Sequence, residues 1–492
     1  MVQEILLQNR GLKMTKEESL DDETMTLSEK WKEFCDETTI HGFRAAFFSR
    51  NTCLKVFWRI LLILATLLAG FLFYGVLMQY LKYEFKVSKE IDFNMDEVNF
   101  PRVTICNINS LSQKKINELG YQGDVDELID FYHQMRGKTL NVSSPDTKRI
   151  LNYFYAKNLN KTHDIISAFE LGKREMLDDP FMRRVFPFSC KYENKPCSVD
   201  NFTEIFSFSY GKCIAFPKNK KDVLKGKFSG PGLQLTLNIH EEDMLDSRAT
   251  FNGLAVFIHH QRETYRSDLS KKVFVPPGTM NNIHITVSML ESLPPPYSTK
   301  CGSKKYEVID PNFAYSANLC AVDCISKIYS EECGCLTSDL KKFQDNIPEC
   351  SMEQYDCYVR VYNHLLDNRT YRKCYQTCPT PCTMETFSLQ TGQAKIGTKF
   401  LYKRLSEMRN LTFQESQDYI SHNVVGLNIA FADVIYTKEK LTPSVDWKVL
   451  LATIGGSLGL CLGCSLITII EFIVFCLTYL PFNKRKTQPS TK

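Results

Sequence analysis

The sequence predicts a membrane protein in which two transmembrane helices flank a large, disulfide-rich α+β extracellular domain. Three observations carry that prediction. Two apolar runs, Val56–Tyr80 and Val449–Leu480, are each long enough to cross a bilayer, which takes about 20 residues. Fourteen of the 19 cysteines fall between them, an even number that reads as a disulfide framework in an oxidising compartment. The intervening texture is helical at first and strand-like afterwards.

Residues 1–55 form a cytoplasmic N-terminal region. Residues 1–30 are polar, charged and poor in aromatics, a composition that buries no core. Trp31–Phe47 is patterned and carries the pair His41-Gly42, which composition alone reads as a turn with an incidental histidine. The first span, 56–80, begins too far into the chain for a signal peptide and lacks a small-residue cleavage site. Arg44, Arg50, Lys55 and Arg59 lie at its start, and Lys484, Arg485 and Lys486 follow the second span. The positive-inside rule therefore puts both termini in the cytoplasm, at a plasma membrane. Lys82 and Lys86 are offset by Glu84, Glu90 and Asp92. A net charge of +4 is too slight to imply nucleic acid.

Residues 81–447 are then extracellular. Five glycosylation acceptors lie there, Asn141, Asn160, Asn201, Asn368 and Asn410, and none lies in either tail. Phe100–Asn109 reads as a strand, residues 111–185 as helices closed by Asp178-Asp179-Pro180, and Asn201–Val287 as short half-buried strands. Leu293–Tyr297 (LPPPY) reads as a rigid polyproline corner. Residues 301–382 hold ten of the cysteines, and Asp433–Thr442 is a last strand.

The second span, 448–480, with the cytoplasmic tail 481–492 behind it, carries no charge from Val449 onward except Glu471 and is too long for one straight crossing, so it is either tilted or broken. Ala452, Gly456, Gly459 and Gly463 share one stripe of a straight helix; Ser457, Cys461, Cys464, Thr468 and Glu471 lie roughly opposite. Small residues alone would suit a packed helix pair. A hydroxyl, thiol and carboxylate stripe has to face protein or water, and glycine-rich backbone at mid-depth is tolerated where it lines a cavity, so the span reads as a pore.

Other chemistry is excluded. Gly455-Gly456-Ser457-Leu458-Gly459 fits a nucleophile-elbow pattern, but it lies inside a span with no strand before it. Cys461 and Cys464 are spaced like a redox or zinc pair without a second ligand pair. The chain is not an enzyme, and no metal site is expected. Acidic clusters at Glu241-Glu242-Asp243, Asp178-Asp179 and Glu331-Glu332 are solvated faces or, more rarely, proton- or calcium-sensing pockets.

Read together, several motifs resemble the epithelial sodium channel, degenerin and acid-sensing channel family, from about Trp31 to Leu480. They are His41-Gly42, FPRVTICN at 100–107, LPPPY at 293–297, YSANLCAVDC at 315–324, CGC at 333–335, CPTPC at 378–382 and IGGSLGLCLGCSLITIIE at 454–471. The resemblance implies a trimer of identical or related subunits around one sodium-permeable pore, blocked by amiloride near Gly455-Gly456. It implies a selectivity filter at Gly463, Cys464 and Ser465, with Glu471 below it. Ala452 would be the site that stays small for the gate to close, and His41-Gly42 a re-entrant motif under the filter. It further implies the bonds Cys106–Cys213, Cys190–Cys197, Cys301–Cys382, Cys320–Cys378, Cys324–Cys374, Cys333–Cys357 and Cys335–Cys350. Gating motion would pass through Tyr83 and the corner Pro295, Pro296 and Tyr297. No resident cofactor is implied; sodium is cargo, and extracellular calcium is a candidate modulator.

The chain departs from the family pattern in three places. Thr453 stands where an acidic residue is usual, three residues separate Cys374 from Cys378 where relatives often have one, and Phe85-Lys86 replaces the paired histidines of acid-sensing members. The last of these favours an extracellular ligand, a neuropeptide attracted to Asp124, Asp126 and Glu127, over protons, force or constitutive opening. A non-conducting surface receptor, an ATP-gated trimeric channel and a membrane hydrolase are the readings from outside the family.

Overall fold

The computed structural model describes residues 26–93, 98–109, 111–177, 189–207, 209–218, 231–245, 252–261, 271–311, 313–341, 344, 346–367, 369–433 and 435–479. The expectations for Asp178-Asp179-Pro180, Asn368, the tail 481–492 and most of residues 1–30 lie outside them. The chain divides into two compact units, one made of both chain ends (1–86 and 443–492) and one of Val87–Thr442.

In the first unit, α1 (Leu27–Glu37), α2 (Phe43–Phe48) and α3 (Thr52–Leu81) are followed late in the chain by α14 (Trp447–Leu462) and α15 (Leu466–Tyr479). α1 starts in a capping box, with Thr26 and Glu29 each satisfying the other's backbone N–H. α3 has 30 residues and a mean hydropathy of 2.6 in its most apolar window, enough to cross a bilayer by length and composition. It begins four residues before the expected Val56, because the turn of the helix is already set after the extended Asn51. α14 and α15 are not one straight helix. They bend by 78° at a three-residue break, Gly463–Ser465. The continuous polar stripe expected along a straight helix is thereby cut: Thr468 and Glu471 belong to a differently directed half-helix.

The second unit holds two sheets. The larger runs β1 (Phe85–Asp92), β13 (Tyr436–Pro443), β10 (Thr279–Glu291), β12 (Val424–Phe431), β7 (Leu233–Asn238), β3 (Cys190–Tyr192) and β4 (Lys195–Pro196), with β11 (Thr383–Lys395) on the other edge of β10. β10 is its spine. It pairs antiparallel with β11 over its whole length and parallel with β12 and then β13 on the opposite edge. The smaller sheet runs β5 (Thr203–Ser207), β6 (Gly211–Phe216), β2 (Arg102–Asn107), β8 (Leu254–His259) and β9 (Lys271–Val275). Strand alternation builds the core: Val103 and Ile105 of β2 and Val256 and Ile258 of β8 join Leu235, Ile283, Ile285 and Leu427 of the larger sheet in one buried cluster. Cys106, Phe257 and Ala255 pack on the other face. β2 is shorter than the expected Phe100–Asn109.

Helices α4 (Gln113–Leu119), α5 (Val125–Gly137), α6 (Pro145–Ala156), α7 (Thr162–Ala168) and α8 (Lys173–Leu177) fill the stretch read as helical. Ser112, Asp124 and Ser144 cap three of them by accepting a backbone N–H. Most of these helices bury Leu128, Tyr132, Phe154 and Phe169 in one core with α9 (Ala317–Cys333) and α10 (Tyr355–Asp367). Seven disulfides are formed: Cys106–Cys213, Cys190–Cys197, Cys301–Cys382, Cys320–Cys378, Cys324–Cys374, Cys333–Cys357 and Cys335–Cys350. Cys320 and Cys324 lie one helical turn apart on α9, and Cys374 and Cys378 one turn apart at α11 (Thr370–Gln376), so two bonds form side by side along one helix contact. Helices α12 (Lys399–Arg409) and α13 (Phe413–Asn423) follow β11. LPPPY is a hydrogen-bonded turn instead of an extended polyproline helix, with Tyr297 N–H donating to the Pro294 carbonyl (3.3 Å) and the Thr299 hydroxyl donating to that of Leu293.

Candidate functional site

The break between α14 and α15 is where the chemistry of the first unit converges. α14 starts on Asp446, whose carboxylate accepts the Val449 N–H at 2.7 Å. It ends on Gly463, which sits at φ +67° and returns its N–H to the Gly459 carbonyl (2.9 Å), while Cys464 N–H reaches back to Leu458 (3.4 Å). That is a left-handed helix stop, a conformation glycine adopts without strain.

α15 starts three residues later, at Leu466. Ser465 is its cap: the Ser465 hydroxyl oxygen accepts the Thr468 N–H (3.2 Å), and the Ser465 N–H donates back to the Thr468 hydroxyl oxygen (3.2 Å). The two hydroxyls also meet at 3.0 Å. Thr468 is only 2% exposed.

The N-terminal segment closes the underside of this break. His41 N–H donates to the Leu462 carbonyl (3.0 Å), taking one of the acceptors a helix end leaves open. The His41 ring fills the space beside Gly463, where a Cβ would fall 1.5 Å from Nδ1. The Thr39 hydroxyl meets that of Thr468 at 2.5 Å. Gly42, at φ +78°, turns the chain into α2 so tightly that a Cβ there would approach the Trp58 ring of α3 to 2.7 Å. His41-Gly42 is thus a packed turn, and neither residue is incidental.

Aromatics hold the segment in place. Phe34 of α1 lies 4.8 Å from Phe475 of α15, and Trp31 lies 5.6 Å from it. Arg59, a charge inside an apolar run, donates from Nε to the Ala46 carbonyl at the end of α2 (3.0 Å) and stacks over Phe47 at 5.7 Å.

The other predicted residues of this unit spread along the two half-helices. On α14, Ala452, Gly455, Gly456 and Gly459 lie on the side left open, whereas Thr453, Ser457 and Cys461 are half-buried. A Cβ at Gly455 or Gly456 would meet open space, so nothing in a single chain demands glycine there. Thr453 turns its hydroxyl back to the Val449 carbonyl (2.7 Å). Glu471 is exposed on α15. Tyr83, at φ +53°, turns the chain out of α3 and lies near Tyr80. In the second unit, Pro295, Pro296 and Tyr297 occupy the turn after β10, and Asn141, Asn160, Asn201 and Asn410 are exposed. Of the acidic residues proposed to attract a peptide, Asp124 caps α5 and Glu127 is paired with Arg149. Sequence reasoning left Thr39 and Trp58 without a role, counted Arg59 only among the charges that set orientation, and placed Thr468 only on a stripe. The S-x-x-T spacing of Ser465 and Thr468 carried a capping signal, whereas Thr39 and Trp58 carried none.

Among the described residues no cluster of side chains is arranged to hold a metal ion. Among the described residues, the carboxylates of the second unit whose pKa is displaced all have it lowered. Glu291 is held below the usual range by the hydrogen bond from Lys438, Glu307 by that from Lys327, and Glu415 by the Thr412 N–H. Burial pushes Glu175 and Glu242 up, but hydrogen bonds, including those from Lys115 and His240, bring both below their ordinary value.

Comparison with known proteins adds an independent finding. The family model described as amiloride-sensitive sodium channel matches residues 34–475. The bile acid-sensitive ion channel of Rattus norvegicus is 26% identical over 490 residues, spanning 93% of this chain and 92% of its own. Acid-sensing ion channel 1C of Danio rerio is 28% identical over 463 residues (89% and 81%), and acid-sensing ion channel 2 of Homo sapiens is 27% identical over 467 (89% and 84%).

Proposed function

Since the chain belongs to the amiloride-sensitive sodium channel family, we propose that it is a subunit of a trimeric, amiloride-blocked, sodium-permeable cation channel, with two spans per subunit and both termini cytoplasmic. The observation that carries the reading is the break at Gly463–Ser465 with the His41 turn seated against it. A sharp break inside an apolar segment exposes backbone carbonyls and hydroxyls, which lipid does not tolerate and a hydrated cation path requires. In this reading Gly463, Cys464 and Ser465 form the filter, Glu471 lies below it, and the open small-residue side at Ala452, Gly455 and Gly456 faces the neighbouring subunits and the outer mouth. Tyr83 and the turn at Pro295–Tyr297 couple the extracellular domain to the spans.

The stimulus is read as a small extracellular ligand, a neuropeptide bound between the helices of residues 111–185 and a neighbouring subunit. Phe85-Lys86, standing where acid-sensing members carry paired histidines, favours it over protons. The relatives' names keep protons and bile acids as the competing stimuli. Whole-cell recording under acid steps, bile acids and a peptide panel, each with and without amiloride, tests the reading. Amiloride-blocked sodium current evoked by a peptide is expected. Current evoked by acid or bile acid alone would replace the ligand, and absence of current in surface-verified cells under every condition would leave a non-conducting receptor.

A further inference from the structure

We infer that Arg102, the first residue of β2, binds a small monovalent anion inside the smaller sheet. By the two-residue period of a strand, Arg102 lies with Thr104 and Cys106 on the face turned away from Val103 and Ile105. Arg102 is 3% exposed, and its Nη1 is enclosed with no hydrogen-bond acceptor among the described residues. No carboxylate among those residues pairs with it. His259 stands directly opposite on β8, with Nδ1 3.2 Å from the His260 carbonyl oxygen and Nε2 3.0 Å from the Thr104 hydroxyl. Neither His259 nor Thr104 brings a negative charge to the guanidinium.

Burial pushes the guanidinium down to about 10, which leaves it charged at neutral pH. A charge taken out of water needs a counter-charge, because the protein interior does not replace its hydration. Arg102 without one destabilises the sheet it begins, and an anion removes that cost. The guanidinium fork presents parallel N–H groups that suit either a halide or two oxygens of a planar oxoanion. The near-complete enclosure of the side chain limits the occupant to a small ion and leaves no room for a carboxylate brought by a neighbouring subunit. In the proposed topology the smaller sheet lies in extracellular fluid, which supplies chloride and bicarbonate.

The test is the melting temperature of the full-length, detergent-purified protein in sodium gluconate, sodium chloride and sodium bicarbonate at one pH and ionic strength. Gluconate is the reference too bulky for the site. An anion at about ten times its dissociation constant is expected to raise the wild-type value by roughly 2–4 °C over gluconate, and Arg102→Met to abolish that rise. In gluconate Arg102→Met should melt above wild type, since an apolar side chain replaces an unpaired charge. A rise in chloride alone identifies a halide site, and a rise in bicarbonate alone a planar-oxoanion site. Equal wild-type values in all three salts overturn the inference. A rise of the same size in Arg102→Met overturns it as well, and so does a variant that melts lower than wild type by one amount in every salt, the mark of a packing residue. Arg102→Gln, neutral and still hydrogen-bonding, repeats the comparison should Arg102→Met fail to fold; a rise retained there overturns the site, and a rise lost there supports it.

Discussion

Single residues in this chain are constrained by what stands next to them. Asp323 of α9 is almost fully buried, and its carboxylate accepts three backbone N–H groups, from Glu307, Val308 and Ile309, each at 2.8 Å. Asp323→Asn turns one acceptor into a donor facing a donor. It should cost about 1–3 kcal/mol, visible as a lower melting temperature of the detergent-purified protein. An unchanged melting temperature would mean that the 307–309 loop finds other acceptors. Ala452 poses the opposite problem: it lies open in one chain, and the proposed assembly closes around it. A phenylalanine there overpacks only the closed arrangement, by about 1–3 kcal/mol, so Ala452→Phe should raise the amiloride-sensitive resting current. A variant silent at rest with a normal response to stimulus would remove Ala452 from the gate.

Between elements, the contacts that join strands and helices set the response to pH and to loss of a bond. Lys438 of β13 donates to Glu291 at the end of β10 (2.7 Å), with Lys440 further off. The pair holds Glu291 below its ordinary value of 4.5, so its contribution is full above that pH and is lost as pH falls through the lowered value. Melting curves of wild type and Glu291→Gln should therefore stand apart above pH 4.5, by at most about 1 kcal/mol for a pair this accessible, and converge as pH falls through the lowered value. Curves that separate only in acid would reverse the sign. The bond Cys324–Cys374 closes a loop between α9 and α11, worth roughly 2–4 kcal/mol. Cys324→Ser and Cys374→Ser should lose surface expression alike and the double variant no further, whereas additive loss would dissociate the two cysteines.

This scale also shows why part of the fold was legible. Caps such as Ser112, Asp124 and Ser144 mark helix starts locally, and the short β-branched or apolar runs of β2 and β8, buried at every position, mark strands. The β11 strand and helices α12 and α13 were passed over although Thr398 and the Thr412/Glu415 box announce the helices, because the apolar positions there are sparse. The bend at Gly463 was half legible. Glycine permitted a stop, but the seat for the His41 ring exists only once residues far apart in sequence meet.

For the whole molecule, the proposed function turns on the 78° break at Gly463–Ser465, supported by the N-terminal turn, as the place where the ion is selected. In that proposal the stapled extracellular domain and the threefold assembly serve to open or close access to it. Gly463 is where the claim is most exposed, since a side chain there meets both a left-handed backbone and the His41 ring. The direct measurement is the reversal potential of the amiloride-sensitive current in surface-verified Gly463→Val channels under sodium-to-potassium replacement. The account predicts either no current at normal surface density or a reversal potential that no longer distinguishes the two cations. Full current with wild-type sodium preference would contradict it and move the filter elsewhere in the chain.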